Sequence, residues 1–204
     1  MTKFNKTKKI GIFGGTFDPI HSGHIKIAKL ALNYLGINKI LFIPAGDPYL
    51  KSNHIKITSS QMRLEMVRLA IKDGKEEKFS VSDIEVKKEG PSYTLDTVTK
   101  FKKEGLNPIV ILGMDSVLLM TQWKDPEALI NECKILAITR PGSNLSDFYN
   151  LNINGLQEAV EILKVNTPKI TSSDIRNRIR FKKDIKNMIS PSVEKFIKDK
   201  KIYI

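Results

Sequence analysis

Two histidines stand three residues apart in the stretch GGTFDPIHSGH, residues 14 to 24, directly after the apolar run IGIF. Gly14 and Gly15 can take backbone angles that other residues resist, which lets peptide N–H groups approach an anion closely. A helix starting near Ser22 or Gly23 would turn its free amides and the positive end of its dipole toward the same place. His21 and His24 would add two imidazole N–H donors, which strengthen as phosphate oxygens gain charge in a transition state. The stretch is neither the dinucleotide fingerprint G-x-G-x-x-G nor the phosphate loop G-x-x-x-x-G-K-[ST], so it implies a different nucleotide chemistry. Two plainer readings compete with this one. The rings can serve packing alone, or they can bind zinc, for which His54 and Cys133 are poor further ligands.

Other residues carry chemistry only in company. ITSSDIR, residues 170 to 176, reads by itself as a helix N-cap. Trp123, the sole tryptophan, offers a flat face for stacking or simply a half-buried packing surface. Asp115 by itself reads as a helix N-cap. Asp18 can bind a metal by charge, but Asp-Pro before a turn is better read as a chain reversal.

These residues fall just after strand-like runs. KKIGIF at 8 to 13, KILFIPAG at 39 to 46, FSVSDIEV at 79 to 86, PIVILG at 108 to 113, KILAIT at 134 to 139 and EILKVN at 161 to 166 alternate with helical patterns. One helix runs from Gly23 to a left-handed cap at Gly36, and a second opens with Thr58 and Gln61 in capping-box spacing and closes at Gly74. A third runs from Tyr93 toward Gly105, and a fourth starts at Asp125 and Pro126. Two more begin at Ser172 or Ser173 and at Ser190 with Pro191, the last packing Val193, Phe196 and Ile197 inward. Strands apolar throughout predict an α/β fold, a doubly wound, mostly parallel Rossmann-like sheet with helices on both faces. Ligands of such sheets bind beyond the carboxyl ends of the strands.

The 204 residues fit a single domain, 1–204, with residues 1–9 as a frayed basic start. With 41% apolar and 27% charged residues, and no stretch of membrane-spanning length, the chain reads as a soluble cytoplasmic protein. Cys133 is the only cysteine, which excludes an internal disulfide framework. The net charge of +12 comes from scattered lysines rather than one basic stripe, so a phosphorylated small substrate is favoured and no nucleic acid is expected. A binding protein that keeps a nucleotide fold without turnover is the alternative from another class. A monomer and a homo-oligomer fit the sequence equally.

GGTFDPIHSGH resembles the leading motif of nucleotidylyltransferases that share an H-x-G-H loop with class I aminoacyl-tRNA synthetases. ITSSDIR resembles their second motif, I-S-S-T-x-I-R. GPSYTLDT at 90 to 97 and GMDSVLLMTQW at 113 to 123 narrow the resemblance to the nicotinate-nucleotide adenylyltransferase family. The resemblance implies transfer of AMP from ATP to nicotinate mononucleotide with release of pyrophosphate. It implies that His21, His24 and Arg176 are catalytic. Gly14, Gly15, Thr16 and Phe17 would shape the ATP loop, Ser172 and Ser173 would reach the outgoing pyrophosphate, Gly113 and Asp115 would meet the ribose, and Arg140 would contact adenine through its backbone. Tyr93 and Thr94 would bind the nicotinate carboxylate, Trp123 would stack on the ring, and Lys51 would meet a phosphate. Magnesium would ride mainly on ATP phosphates and water, with no protein ligand. The chain departs from the family at PYLK, residues 48 to 51, where P-P-H-K is usual and Leu50 replaces an imidazole. Relatives that use nicotinamide mononucleotide, phosphopantetheine or a cytidylyl donor are the nearest rivals.

Overall fold

Six strands form one parallel sheet in the order β3-β2-β1-β4-β5-β6: β1 (Lys8–Gly15), β2 (Ile40–Pro44), β3 (Phe79–Val81), β4 (Leu106–Gly113), β5 (Lys134–Thr139) and β6 (Val160–Lys164). The computed structural model describes residues 8–48, 57–140, 142–167 and 169–204. The chain order reverses between β1 and β4, which makes the cleft above their carboxyl ends the topological switch point.

The central strands β1, β2, β4 and β5 carry runs that are apolar on both faces because both faces are covered. Phe13, Phe42, Ile111 and Leu136 point into one core layer, shared with α1 (Ser22–Leu35), α2 (Ser60–Gly74), α8 (Ser172–Arg180) and α9 (Pro191–Asp199). Ile12, Ile43, Val110 and Ala137 point into the other, covered by α3 (Thr94–Lys103), α4 (Met114–Leu118), α5 (Pro126–Glu132) and two short helices, α6 (Ser146–Tyr149) and α7 (Leu156–Ala159). The expected doubly wound Rossmann-like architecture is the one observed.

Several local expectations change. The third strand stops at Val81, and residues 83 to 86, expected to extend it, form a turn in which Lys87 N–H closes on the Asp83 carbonyl. The cap of α2 is Ser59, whose hydroxyl accepts from Met62 N–H, not Thr58; tertiary bonds take Thr58 instead. The helix closes at Gly74, as expected, and the left-handed residue that caps it is Lys75. Thr171 caps α8, so Ser172 is its first turn rather than its cap. In α9 Val193 and Ile197 are buried and Phe196 half-buried. Lys8 and Lys9, read as part of a frayed start, pair in β1 with Leu106 and Asn107.

Candidate active site

Beyond β1 the chain turns over the sheet and enters α1 with His21 at the N-cap position. Neither Gly14 nor Gly15 takes a positive φ, contrary to the expectation of unusual backbone angles there; the left-handed residue of the loop is Phe17, at φ 50°. The glycines serve space instead. A Cβ on Gly15 would stand 3.0 Å from the Phe17 ring, while one on Gly14 would meet nothing within 4 Å and would project into the cleft that Gly14 lines. Phe17 is buried and lies edge-on to Phe13 and His24, so it supports the loop from the core side.

The two imidazoles stack, with ring centroids 3.7 Å apart and planes inclined by 23°. His24 Nδ1 accepts from His21 N–H at 3.2 Å, which assigns the proton of a neutral His24 ring to Nε2. Burial lowers the pKa of His21 to about 4, so that ring is neutral near pH 7. Gly23 explains the glycine between the histidines: a Cβ there would come within 3.0 Å of the His21 ring. H-x-G-H is thus a packing solution in which the second ring rests over the first.

The second motif meets the first loop directly. Ser172 Oγ donates to the Pro19 carbonyl at 2.9 Å, and Arg176 Nη1 donates to the Asp18 carbonyl at 2.8 Å across 158 positions of sequence. Arg176 Nη2 donates to Ser173 Oγ at 3.0 Å. Thr171 Oγ1 caps the third residue of α8, Asp174, at 3.1 Å. The first amides of that helix, with its dipole, therefore start beside the H-x-G-H loop.

A buried polar frame holds this junction. Asp18, 4% exposed, accepts from Tyr203 Oη at 2.5 Å and from Thr58 N–H at 3.4 Å. Arg63, 1% exposed, donates from Nε to the Thr58 carbonyl, from Nη1 to the Thr16 carbonyl and from Nη2 to the Gly46 carbonyl, at 2.8, 2.8 and 3.0 Å. Burial pulls the Arg63 pKa below the ordinary arginine value, and the nearby Asp18 carboxylate opposes that shift. The Asp18 carboxylate thus ties the chain reversal to the segment leading into α2 and to the turn after α9.

A cavity of about 180 Å³ opens beside the loop, lined by Gly14, Thr16, Tyr93, Thr94, Trp123 and Lys124 among others. Tyr93 is the N-cap of α3, and its side chain forms no capping bond to the first amides of that helix. Lys124 and Lys88 place their ammonium groups 4.6 and 5.4 Å from the centre of the Tyr93 ring. Glu85 also lines the cavity and accepts from Thr97 Oγ1 at 2.7 Å; burial raises its pKa, partly offset by bonds from Thr97 and Ser92. Gly113 closes β4 as the N-cap of α4, which leaves Asp115 exposed in the first turn rather than capping it. Arg140 is exposed just after β5. Gly113 and Arg140 thus stand at neighbouring strand ends, on the β4–β5 side of the switch point. Lys51, Leu50 and His54 lie outside the described residues.

Among the described residues no group of three or more His, Cys, Asp or Glu side chains could hold a metal ion, and no helix is long and apolar enough to cross a membrane. Cys133 is buried, and burial pushes its thiol up to about 12, so it is no nucleophile at neutral pH.

The cytidylyltransferase-like family profile matches residues 12–178, from β1 into α8. A protein of Clostridium tetani named as a probable nicotinate-nucleotide adenylyltransferase is 36% identical over 201 residues, covering 96% of this chain and 99% of that one. The chain belongs to the nicotinate-nucleotide adenylyltransferase family. A namesake from Dehalococcoides mccartyi is 36% identical over 200 residues, covering 96% and 97% of the two chains. The fold is shared with Plasmodium falciparum nicotinic acid mononucleotide adenylyltransferase complexed with NaAD, at a TM-score of 0.74 and 22% identity over 96% of this chain and 97% of that one. Membership in the adenylyltransferase family makes the chain a nucleotidyltransferase, an enzyme.

Sequence reasoning did not find Arg63, Glu85, Lys124 or Tyr203. Arg63 had a signal: it shares the buried stripe of α2 with Met66, Val67 and Ala70, and a lone charge on an apolar helix face is there for a bond. Tyr203 had none, because its partner lies 185 positions away.

Proposed function

We propose that the chain transfers the adenylyl group of ATP to nicotinate mononucleotide, giving nicotinate adenine dinucleotide and pyrophosphate. The observation that carries this reading is the bond from Arg176 to the Asp18 carbonyl, which sets the second motif against the H-x-G-H loop so that both can face one triphosphate. An oxygen of the mononucleotide phosphate attacks the α-phosphorus in line. One P–O bond forms as the bond to the bridging oxygen breaks, and pyrophosphate leaves with that electron pair. The attacking phosphate is already anionic near neutral pH, so no strong general base is required.

His21, as a neutral ring, and His24 hold the phosphates, and Arg176, Ser173 and the first amides of α8 draw on the outgoing pyrophosphate. Ser172 contributes through its backbone, since its hydroxyl proton is engaged by Pro19. The Gly14–Thr16 backbone lines the cleft, while Gly113, Asp115 and Arg140 receive the ribose and adenine beyond β4 and β5. Tyr93 and Thr94, at the start of α3, bind the nicotinate carboxylate, and Trp123 stacks on the ring. Lys51 meets a phosphate. A divalent cation, Mg2+, would be held mainly by phosphate oxygens and water and would neutralise charge on the triphosphate. Residues 1–204 act as one domain, in the cytoplasm.

Pyrophosphate release measured with ATP and either nicotinate or nicotinamide mononucleotide tests the reading. It predicts turnover with a clear preference for the nicotinate acceptor; equal use of the two acceptors would reject the assignment.

A further inference from the structure

Tyr203 sits in the turn after α9, far in sequence from either motif, yet its phenol enters the junction between them. The turn is shaped to bring it there. Ile202 N–H donates to the Ile197 carbonyl at 3.0 Å, and the Ile202 side chain is buried in the core layer under α9. Lys201 and Tyr203 on either side of it both hold left-handed backbone, at φ 51° and 68°. Residues with a Cβ resist that conformation, and it persists where surrounding contacts impose it.

The phenol donates to Asp18 Oδ1, the other carboxylate oxygen accepts from Thr58 N–H, and the carbonyl of the same Asp18 accepts from Arg176 Nη1. Both ends of Asp18 are therefore fixed, one by Tyr203 and one by the guanidinium that faces the polyphosphate. With Nη2 on Ser173 Oγ, that guanidinium has one orientation as long as the Asp18 carbonyl stays in place.

We propose that Tyr203 is a positioning residue for adenylyl transfer: its hydroxyl anchors the Asp18 carboxylate, and through the Asp18 carbonyl it fixes the direction of the Arg176 guanidinium. This rests on the functional reading above. Tyr203 touches no substrate; it acts through geometry, to which in-line phosphoryl chemistry is sensitive.

A double-mutant cycle of Tyr203→Phe and Arg176→Ala tests it, with thermal unfolding used to establish that each variant is folded. Tyr203→Phe keeps the ring and removes the hydroxyl that bonds Asp18 and Thr58. It is expected to lower kcat about tenfold in the wild-type background, with little change in the KM of the mononucleotide, and less than about twofold once Arg176 is gone. A purely structural role would give the same loss in both backgrounds, and that result, or a wild-type kcat in folded Tyr203→Phe, would overturn the proposal. Should the unsubstituted protein release no pyrophosphate from ATP and nicotinate mononucleotide, the functional reading fails by itself. The same cycle is then read on calorimetric binding of inorganic tripolyphosphate, where non-additivity supports the anchor and additivity rejects it.

Discussion

Arg176 Nη1 lies 2.8 Å from the carbonyl oxygen of Asp18, and that bond joins the two sequence motifs. It uses the fork of the guanidinium, since Nη2 is held at the same time by Ser173 Oγ. Arg176→Lys keeps a positive charge but cannot make both bonds while still facing a phosphate. We expect kcat to fall about tenfold or more in the folded variant, with a smaller effect on the mononucleotide KM. A lysine variant with wild-type pyrophosphate release would mean that charge alone suffices and the fork is irrelevant.

The glycines of the first loop predict a contrast. A Cβ on Gly14 meets no neighbour and projects into the cleft, so Gly14→Ala should leave the melting temperature unchanged while raising the KM of a substrate. Gly23→Ala gains helix propensity, about 1 kcal/mol, but brings a methyl within 3.0 Å of the His21 ring. That variant should stay folded and lose about tenfold in kcat as the imidazole pair is displaced. Kinetics and melting curves of the two variants decide the matter; identical kinetic behaviour would contradict the spatial reading of both glycines.

What the sequence made legible was local. The runs around Ile12, Val110 and Ile135 are apolar on both faces, so they announced a covered parallel sheet, and the H-x-G-H segment announced a strand-to-helix turn with donors. Gly14 and Gly15 were recognisable as necessary but for the wrong reason, because a sequence does not distinguish a glycine needed for its φ from one needed for space. Thr58 looked like the cap of α2 and Ser59 is the cap, since Thr58 is drawn into tertiary bonds with Asp18 and Arg63. Asp18, the Thr58–Arg63 segment and Tyr203 come from three separate parts of the chain. No periodicity records such a meeting, which is why the frame that supports the loop was invisible while the two motifs it joins were not.

His21 links stability to pH. Burial lowers its pKa from 6.5 to about 4, so between those values the unfolded chain binds a proton that the native ring refuses. Stability therefore falls as the pH drops from 6.5 to 4, by about 3 kcal/mol from this group, and does not respond to it above 6.5. Denaturant unfolding at pH 7.5, 5.5 and 4.5 should show this loss, and His21→Asn should flatten that part of the slope. An unchanged slope in the variant would show that other groups set the acid sensitivity.

Trp123 lines the same cavity as Tyr93 and Thr94, which places an aromatic face beside the start of α3. Trp123→Ala should raise the KM of the mononucleotide about tenfold, as expected for loss of a stacking face, and leave the KM of ATP nearly unchanged. The opposite pattern, with ATP alone affected, would remove the indole from the acceptor site.

The central claim is that the H-x-G-H loop and the start of α8 grip one polyphosphate. Calorimetric titration of inorganic tripolyphosphate into the wild-type protein, His24→Ala and Arg176→Ala tests it without requiring turnover. Each substitution should weaken binding about tenfold or more, because each removes a donor to the same ligand. Wild-type affinity in either folded variant would contradict the account, leaving the two motifs side by side but without a shared substrate.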